Sequence, residues 1–180
     1  MKNMHKKTYT ILLGSLLTLG AAFQLAAQAP RKSPHEKVSA TINGKTITIE
    51  YGRPYMKGRK IFGGLEPLGK VWRTGADEAT TLASDADLDI KGLKVSKGTY
   101  ALFTLPGESE WKLIVNKTAK QWGAFKYEES ADLGRVAMDV KKTGAPVEQF
   151  TIKLESTGGN KGKLTLEWEN TSASVPFTVH

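Results

Sequence analysis

The residues best equipped for chemistry in this chain crowd into one segment. Between Arg53 and Arg73 lie six cations, Arg53, Lys57, Arg59, Lys60, Lys70 and Arg73, against one acid, Glu66. Arginine offers a planar fork of donors that fits carboxylate, sulfate or phosphate, and a glycine-rich backbone can turn its amides toward the same anion. Residues 52–78 hold six of the 18 glycines, so both ingredients coincide. Arg53, Arg59, Lys70 and Arg73 are therefore candidate ligands of an anionic group. Internal pairing competes with that role. Glu50, Asp77 and Glu78 lie close in sequence, and pairs with Arg53 or Arg73, above all Arg73 with Glu78, would fix the loop's shape without binding anything. Lys57 and Lys60 read as solvated.

Aromatic residues suggest a second chemistry, stacking on sugar rings. Trp111 and Trp168 sit in strand patterns and read as core. Tyr55 and Trp122 fall in expected loops and are better platform candidates, with Trp72 inside the basic segment. Burial competes for each, because one indole removes a large apolar area from water.

Catalysis has few carriers. The absence of cysteine excludes thiol nucleophiles, disulfides, Cys-ligated zinc and iron–sulfur clusters. The histidines are His5, His35 and the terminal His180, so a hydrolase would depend on His35, or on Glu78 with Asp77 as its nearest carboxylate partner. Asp85, Asp87 and Asp89 start like a calcium loop, but Ile90 and Ser96 stand where glycine and glutamate are required. In the stretch 157–164, Thr157 and Leu164 break the P-loop spacing. Gly107-Glu108-Ser109-Glu110 lacks the second glycine of a nucleophile elbow. No metal-ligand set and no cofactor motif is legible.

Elements that would position these residues follow from pattern. Lys2, Lys6 and Lys7 precede an apolar stretch from Tyr9 to Phe23 and the small residues Ala26 and Ala27, which reads as a signal peptide over residues 1–27. The stretch is short for a bilayer span of about 20 residues, so the expectation is export to the periplasm or beyond, with no membrane span after cleavage. Residues 28–36 read as an N-terminal extension and 37–180 as one domain. From residue 28 onward 23 Lys and Arg face 18 acids, and the whole excess sits in the 53–73 window. A nucleic-acid protein spreads its basic charge along a face; this distribution speaks against such a partner.

Periodicity is mostly two, the mark of half-buried strands. Val38, Ala40 and Ile42 alternate, as do Ile47, Ile49 and Tyr51. Asn43-Gly44 between them suits a type I′ turn that pairs Ala40 with Ile47 and Val38 with Ile49. Further strands are expected over 79–84, 88–90, 99–105, 111–116, 135–141, 149–155, 163–168 and 175–179. Thr99–Leu105 is apolar on both faces and belongs in a sheet covered twice. About ten short strands predict an all-β, single-domain β-sandwich, jelly-roll-like, with one long Gly-rich basic loop. Phe62, Leu65, Val71 and Trp72 give that loop anchors.

A string of motifs carries a family resemblance: Tyr51-Gly52-Arg53-Pro54, Lys57-Gly58-Arg59, Ile61-Phe62-Gly63-Gly64-Leu65, then Gly69-Lys70-Val71-Trp72-Arg73-Thr74-Gly75-Ala76 and Glu78-Ala79-Thr80. With Ser33-Pro34-His35, Gly98-Thr99-Tyr100-Ala101-Leu102-Phe103 and Trp122-Gly123, the chain resembles the DUF (domain of unknown function) twenty-nine-eleven family of exported bacterial proteins. Leu68 stands where that family usually has tyrosine, and Asp77 where it has asparagine. The resemblance implies an exported β-rich domain and no particular activity. The leading expectation is a non-enzymatic binder of an anionic small molecule, glycan or envelope component through residues 52–78. The alternatives are a periplasmic hydrolase using Glu78 or His35, and a structural or protein-interaction module of the envelope. The oligomeric state is open.

Overall fold

A computed structural model describes residues 33–180; the signal-peptide reading lies outside them. Nine antiparallel strands make the domain: β1 (His35–Ile42), β2 (Lys45–Gly52), β3 (Thr80–Ser84), β4 (Leu88–Ile90), β5 (Leu93–Val95), β6 (Gly98–Leu105), β7 (Trp111–Asn116), β8 (Asp132–Gly158) and β9 (Lys161–Val179). They form one continuous sheet in the order β1-β2-β3-β6-β7-β8-β9-β4-β5. The all-β expectation holds. Among the described residues no helix is long and apolar enough to cross a membrane.

The β1–β2 hairpin has the expected register, Ala40 opposite Ile47 and Val38 opposite Ile49. Asn43 (φ 52°) and Gly44 (φ 70°) both take the left-handed conformation that a type I′ turn demands. Strand lengths differ from expectation. The segments expected at 135–141 and 149–155 are one 27-residue strand, and those at 163–168 and 175–179 one 19-residue strand. Thr143-Gly144-Ala145-Pro146 reads as a break, yet the β8–β9 ladder passes it by shifting register between Lys142 and Val147 and again before Thr151. Bulges bend a strand without ending it. The first part of β8 pairs with β7, and the rest pairs with β9. β8 therefore joins the two halves of the sheet.

Residues from both halves share one core, including Ile47, Ile49, Leu82 and Leu102 from one half and Phe150, Leu164, Trp168 and Val175 from the other. A second cluster lies on the opposite face of β6, where Ala101 and Phe103 meet Ala79 and Ile114 under Val71, Ala124 and Tyr127. The doubly apolar β6 is thus covered on both sides, once by the sheet's partner half and once by connecting segments.

The 53–79 connection is fastened at many points. Pro54 and Met56 exchange backbone hydrogen bonds with Phe150 and Glu148, and Trp72 pairs with Thr104 of β6 in both directions. Glu169 accepts from the Ile61 and Phe62 amides. Trp72 is 2% exposed, stacks on Trp168 at 5.8 Å and donates its indole N–H to the Gly75 carbonyl. Burying a ring of that size contributes on the order of 4 kcal/mol. The end of the connection then crosses β2 in backbone contact, with the Ala76 amide donating to the Gly52 carbonyl at 3.2 Å. A Cβ on Gly52 would run into the Ala76 carbonyl, and one on Gly75 would stand 2.6 Å from the Gly52 oxygen.

That crossing admits no side chain at Gly52, so Gly52→Ala is expected to cost about 3 kcal/mol and lower the thermal midpoint by about 9 °C. Gly58 has a positive φ of 71° but open space around it; Gly58→Ala should cost only about 1 kcal/mol. Denaturant melts of the two variants beside the parent check the difference.

Candidate functional site

The basic loop sorts its cations into clasped and open ones. Arg53 is clasped. Its guanidinium meets Glu36 at 2.8 Å and donates to the Phe150 carbonyl and the Thr151 hydroxyl. Glu36 also accepts from the Tyr51 hydroxyl, which itself accepts from the Ile152 amide; burial pushes the Tyr51 hydroxyl pKa up. This network ties β1, β2 and β8 together. Arg53 is thus paired inside the fold, and its partner is Glu36 instead of the acids nearest in sequence. Glu50 pairs with Lys37.

Arg59 and Arg73 are open. Both line a hollow of about 480 Å3 together with Tyr55, Lys57, Glu66 and the edge of Trp168. Arg59 donates two of its N–H groups to the carbonyls of Met56 and Tyr55, which sets its direction and leaves its charge unneutralised. Arg73 forms no ion pair with another described residue, and its Nε is buried without an acceptor. The expected pairing of Arg73 with Glu78 is absent. Glu66 is the acid that feels the guanidiniums of Arg73 and Arg59, yet burial outweighs them and pushes its carboxyl up to about 7. At neutral pH Glu66 is therefore only partly ionised, and the two arginines share the hollow's wall with it and with Asp77, which is turned to His35.

On the other side of the 75–79 segment lies a second hollow of about 440 Å3, bordered by His35, Tyr51, Glu78, Lys120, Gln121 and Trp122. Here His35 Nε2 stands 3.1 Å from Asp77 Oδ2 and 3.5 Å from Glu78 Oε2. The hairpin register puts His35 opposite Gly52, and the Gly52 crossing brings residues 76–78 onto the same strand end. Asp77 takes a left-handed conformation, φ 63°, which lets two consecutive carboxylates turn toward one imidazole instead of to opposite sides. The 121–123 segment holds this arrangement through the Ala79 amide to Gln121 carbonyl bond and the Gly123 amide to Asp77 carbonyl bond, both 2.9 Å.

The remaining candidates divide cleanly. Tyr55 is 38% exposed on the arginine hollow, and Trp122 is 60% exposed between the second hollow and a third one lined by Phe125. Trp72 is a core ring, which corrects its expected place on a binding surface. Lys70 is exposed but does not line the arginine hollow. Glu66 and the convergence of His35 with Asp77 and Glu78 went unseen in the sequence. They are 42 and 43 residues apart along the chain, and only the hairpin register combined with the glycine pair at 52 and 75 hints at the meeting.

A family model described as "Protein of unknown function (DUF2911)" matches residues 33–177, and the chain belongs to that family. No curated protein and no solved structure matches it.

The two classes of arginine should separate on substitution. Arg53→Ala removes the ion pair from Glu36 and the donor from two part-buried acceptors and is expected to lose about 2 kcal/mol of stability. Arg59→Ala should stay within about 0.5 kcal/mol, as for exposed positions. Urea unfolding monitored by tryptophan fluorescence checks both.

Proposed function

We propose that this DUF2911 member is an exported binding protein whose ligand is an organic anion, a carboxylate- or phosphate-bearing sugar-sized molecule, held in the hollow of Arg59 and Arg73. The observation that carries the reading is the buried, acceptor-less Arg73 Nε beside a second arginine on one concave surface. A buried guanidinium N–H without an acceptor costs free energy, and an anion in the hollow would relieve it. About 480 Å3 falls in the range of small-ligand sites. Tyr55 and Trp168 on the wall supply ring surface for the uncharged part of such a ligand. Lys57 adds charge at the rim. The anionic-ligand reading of the basic loop thus rests on Arg59, Arg73 and Tyr55.

Glu66 gives the reading a pH signature. When ionised it competes with the ligand for the two guanidiniums; when protonated it does not. Its folded-state pKa is raised, from 4.5 to about 7, so its stabilising proton is fully bound below pH 4.5 and is lost as pH rises through about 7.

Titration calorimetry with glucuronate and with sulfate, neither of which changes charge between pH 6 and 8, tests the proposal. Glucuronate should bind more tightly than sulfate, and its affinity should rise several-fold from pH 8 to pH 6. Arg59→Ala and Arg73→Gln should each weaken it by at least about ten-fold, as expected for a charge-assisted hydrogen bond of roughly 1.5–3 kcal/mol. Glu66→Gln should remove the pH dependence and raise the melting temperature more at pH 8 than at pH 5. Equal affinity in the parent and both arginine variants would overturn the reading.

A further inference from the structure

We infer that His35, Asp77 and Glu78 form a binding site for a single divalent cation of the borderline class, Zn2+ foremost. The site adjoins the arginine hollow, whose wall Asp77 shares, and uses none of that hollow's cations. One donor atom from each side chain lies within 4.8 Å of the other two. Zinc holds His nitrogen and carboxylate oxygen at about 2.0–2.1 Å, so ligands at tetrahedral angles stand about 3.3 Å apart. The two separations from His35 Nε2, 3.1 and 3.5 Å, bracket that edge length. One imidazole and two carboxylates are also a donor set suited to zinc and neighbouring first-row ions, whereas magnesium and calcium take oxygen alone.

Charge points the same way. Two adjacent carboxylates aim at one ring nitrogen, and that nitrogen carries at most one proton. A divalent ion between the three would take a lone pair from each of the three donor atoms. The three side chains are between a fifth and two-fifths exposed; His35 and Glu78 border the hollow of about 440 Å3 and Asp77 borders the arginine hollow, so an ion can enter from solvent and keep an open coordination position. Gln121, on the hollow that His35 and Glu78 border, has a buried Oε1 that accepts no hydrogen bond from the described residues. A three-ligand centre with an open position is the arrangement of zinc sites that bind a water or an exogenous ligand.

The test is titration of Zn2+ into the EDTA-stripped, dialysed protein, with Co2+ absorption spectra as a second readout. One equivalent should bind, raise the melting temperature by mass action, and give visible d–d bands with Co2+. His35→Gln, Asp77→Asn and Glu78→Gln should each weaken binding by at least about ten-fold, while their metal-free melting temperatures stay near that of the parent. Should one variant fail to fold, the other two carry the comparison. His180→Gln and Arg59→Ala should leave zinc affinity unchanged. Absence of stoichiometric binding, unchanged affinity in His35→Gln and Glu78→Gln, or loss of binding in His180→Gln would each overturn the inference.

Discussion

One backbone contact decides where the chemistry of this protein sits. The end of the long connection lies directly on the last residue of β2, amide of Ala76 to carbonyl of Gly52, with no room for a side chain at the contact. Without that close approach the connection would have to arch over a Cβ, and residues 73–78 would lift off the strand. Everything of interest is then displaced together. Arg73 precedes the contact and faces one hollow; Asp77 and Glu78 follow it and face His35. Glycine is needed at both 52 and 75 because two backbones meet there. The buried Thr74 and Thr80 lock the turn, with the Thr80 hydroxyl donating to the Thr74 carbonyl at 2.6 Å.

A second principle sorts the charges. Six cations in one window look alike in sequence, but their worth depends on what each guanidinium or ammonium meets. Arg53 meets a carboxylate, a carbonyl and a hydroxyl, and so holds three strands together. Arg59 meets only carbonyls, which orient a charge without cancelling it. Arg73 meets least. Glu66, the one acid of the window, is buried enough for desolvation to outweigh the attraction of both arginines. A fully ionised Glu66 would fill the role of the anion; a half-protonated one leaves it open.

The sequence made the strands legible where local rules agree. Asn43-Gly44 and the flanking alternation define a hairpin because turn twist and side-chain period specify the same register. β6 shows itself as doubly covered because both of its faces are apolar. Phe62 and Trp72 correctly mark an anchored loop. The length of β8 and β9 was hidden because a bulge and a chain break use the same residues, Thr143 to Pro146 here, and only the partner strand distinguishes them. The fate of each arginine was hidden for a related reason: Arg53 finds its acceptors on Phe150 and Thr151, nearly a hundred positions away, and no local pattern encodes that.

The meeting of His35 with Asp77 and Glu78 belongs to the same class of long-range fact, yet it follows from two short ones taken in series. Hairpin pairing places His35 across from Gly52, and glycine complementarity places residue 76 on Gly52. Two exact contacts in a row carry a histidine at the start of the domain to a pair of carboxylates beyond a long irregular loop. The loop between them is held to the sheet by Trp72, Phe62 and the 54–56 pairing. This explains how a segment with so many glycines can still hold side chains at fixed separation. The glycines at 52 and 75 tighten the structure by removing bulk at a crossing, whereas Gly44 and Gly58 supply left-handed turns in open space. Precision at the site comes from the first kind, and the wall they build, residues 75–79, lies between the arginine hollow, which Asp77 also lines, and the hollow bordered by His35 and Glu78. Arg59 is oriented by the carbonyls of Tyr55 and Met56 and Asp77 by the His35 ring, so each of these charges is turned to its own partner instead of to the other.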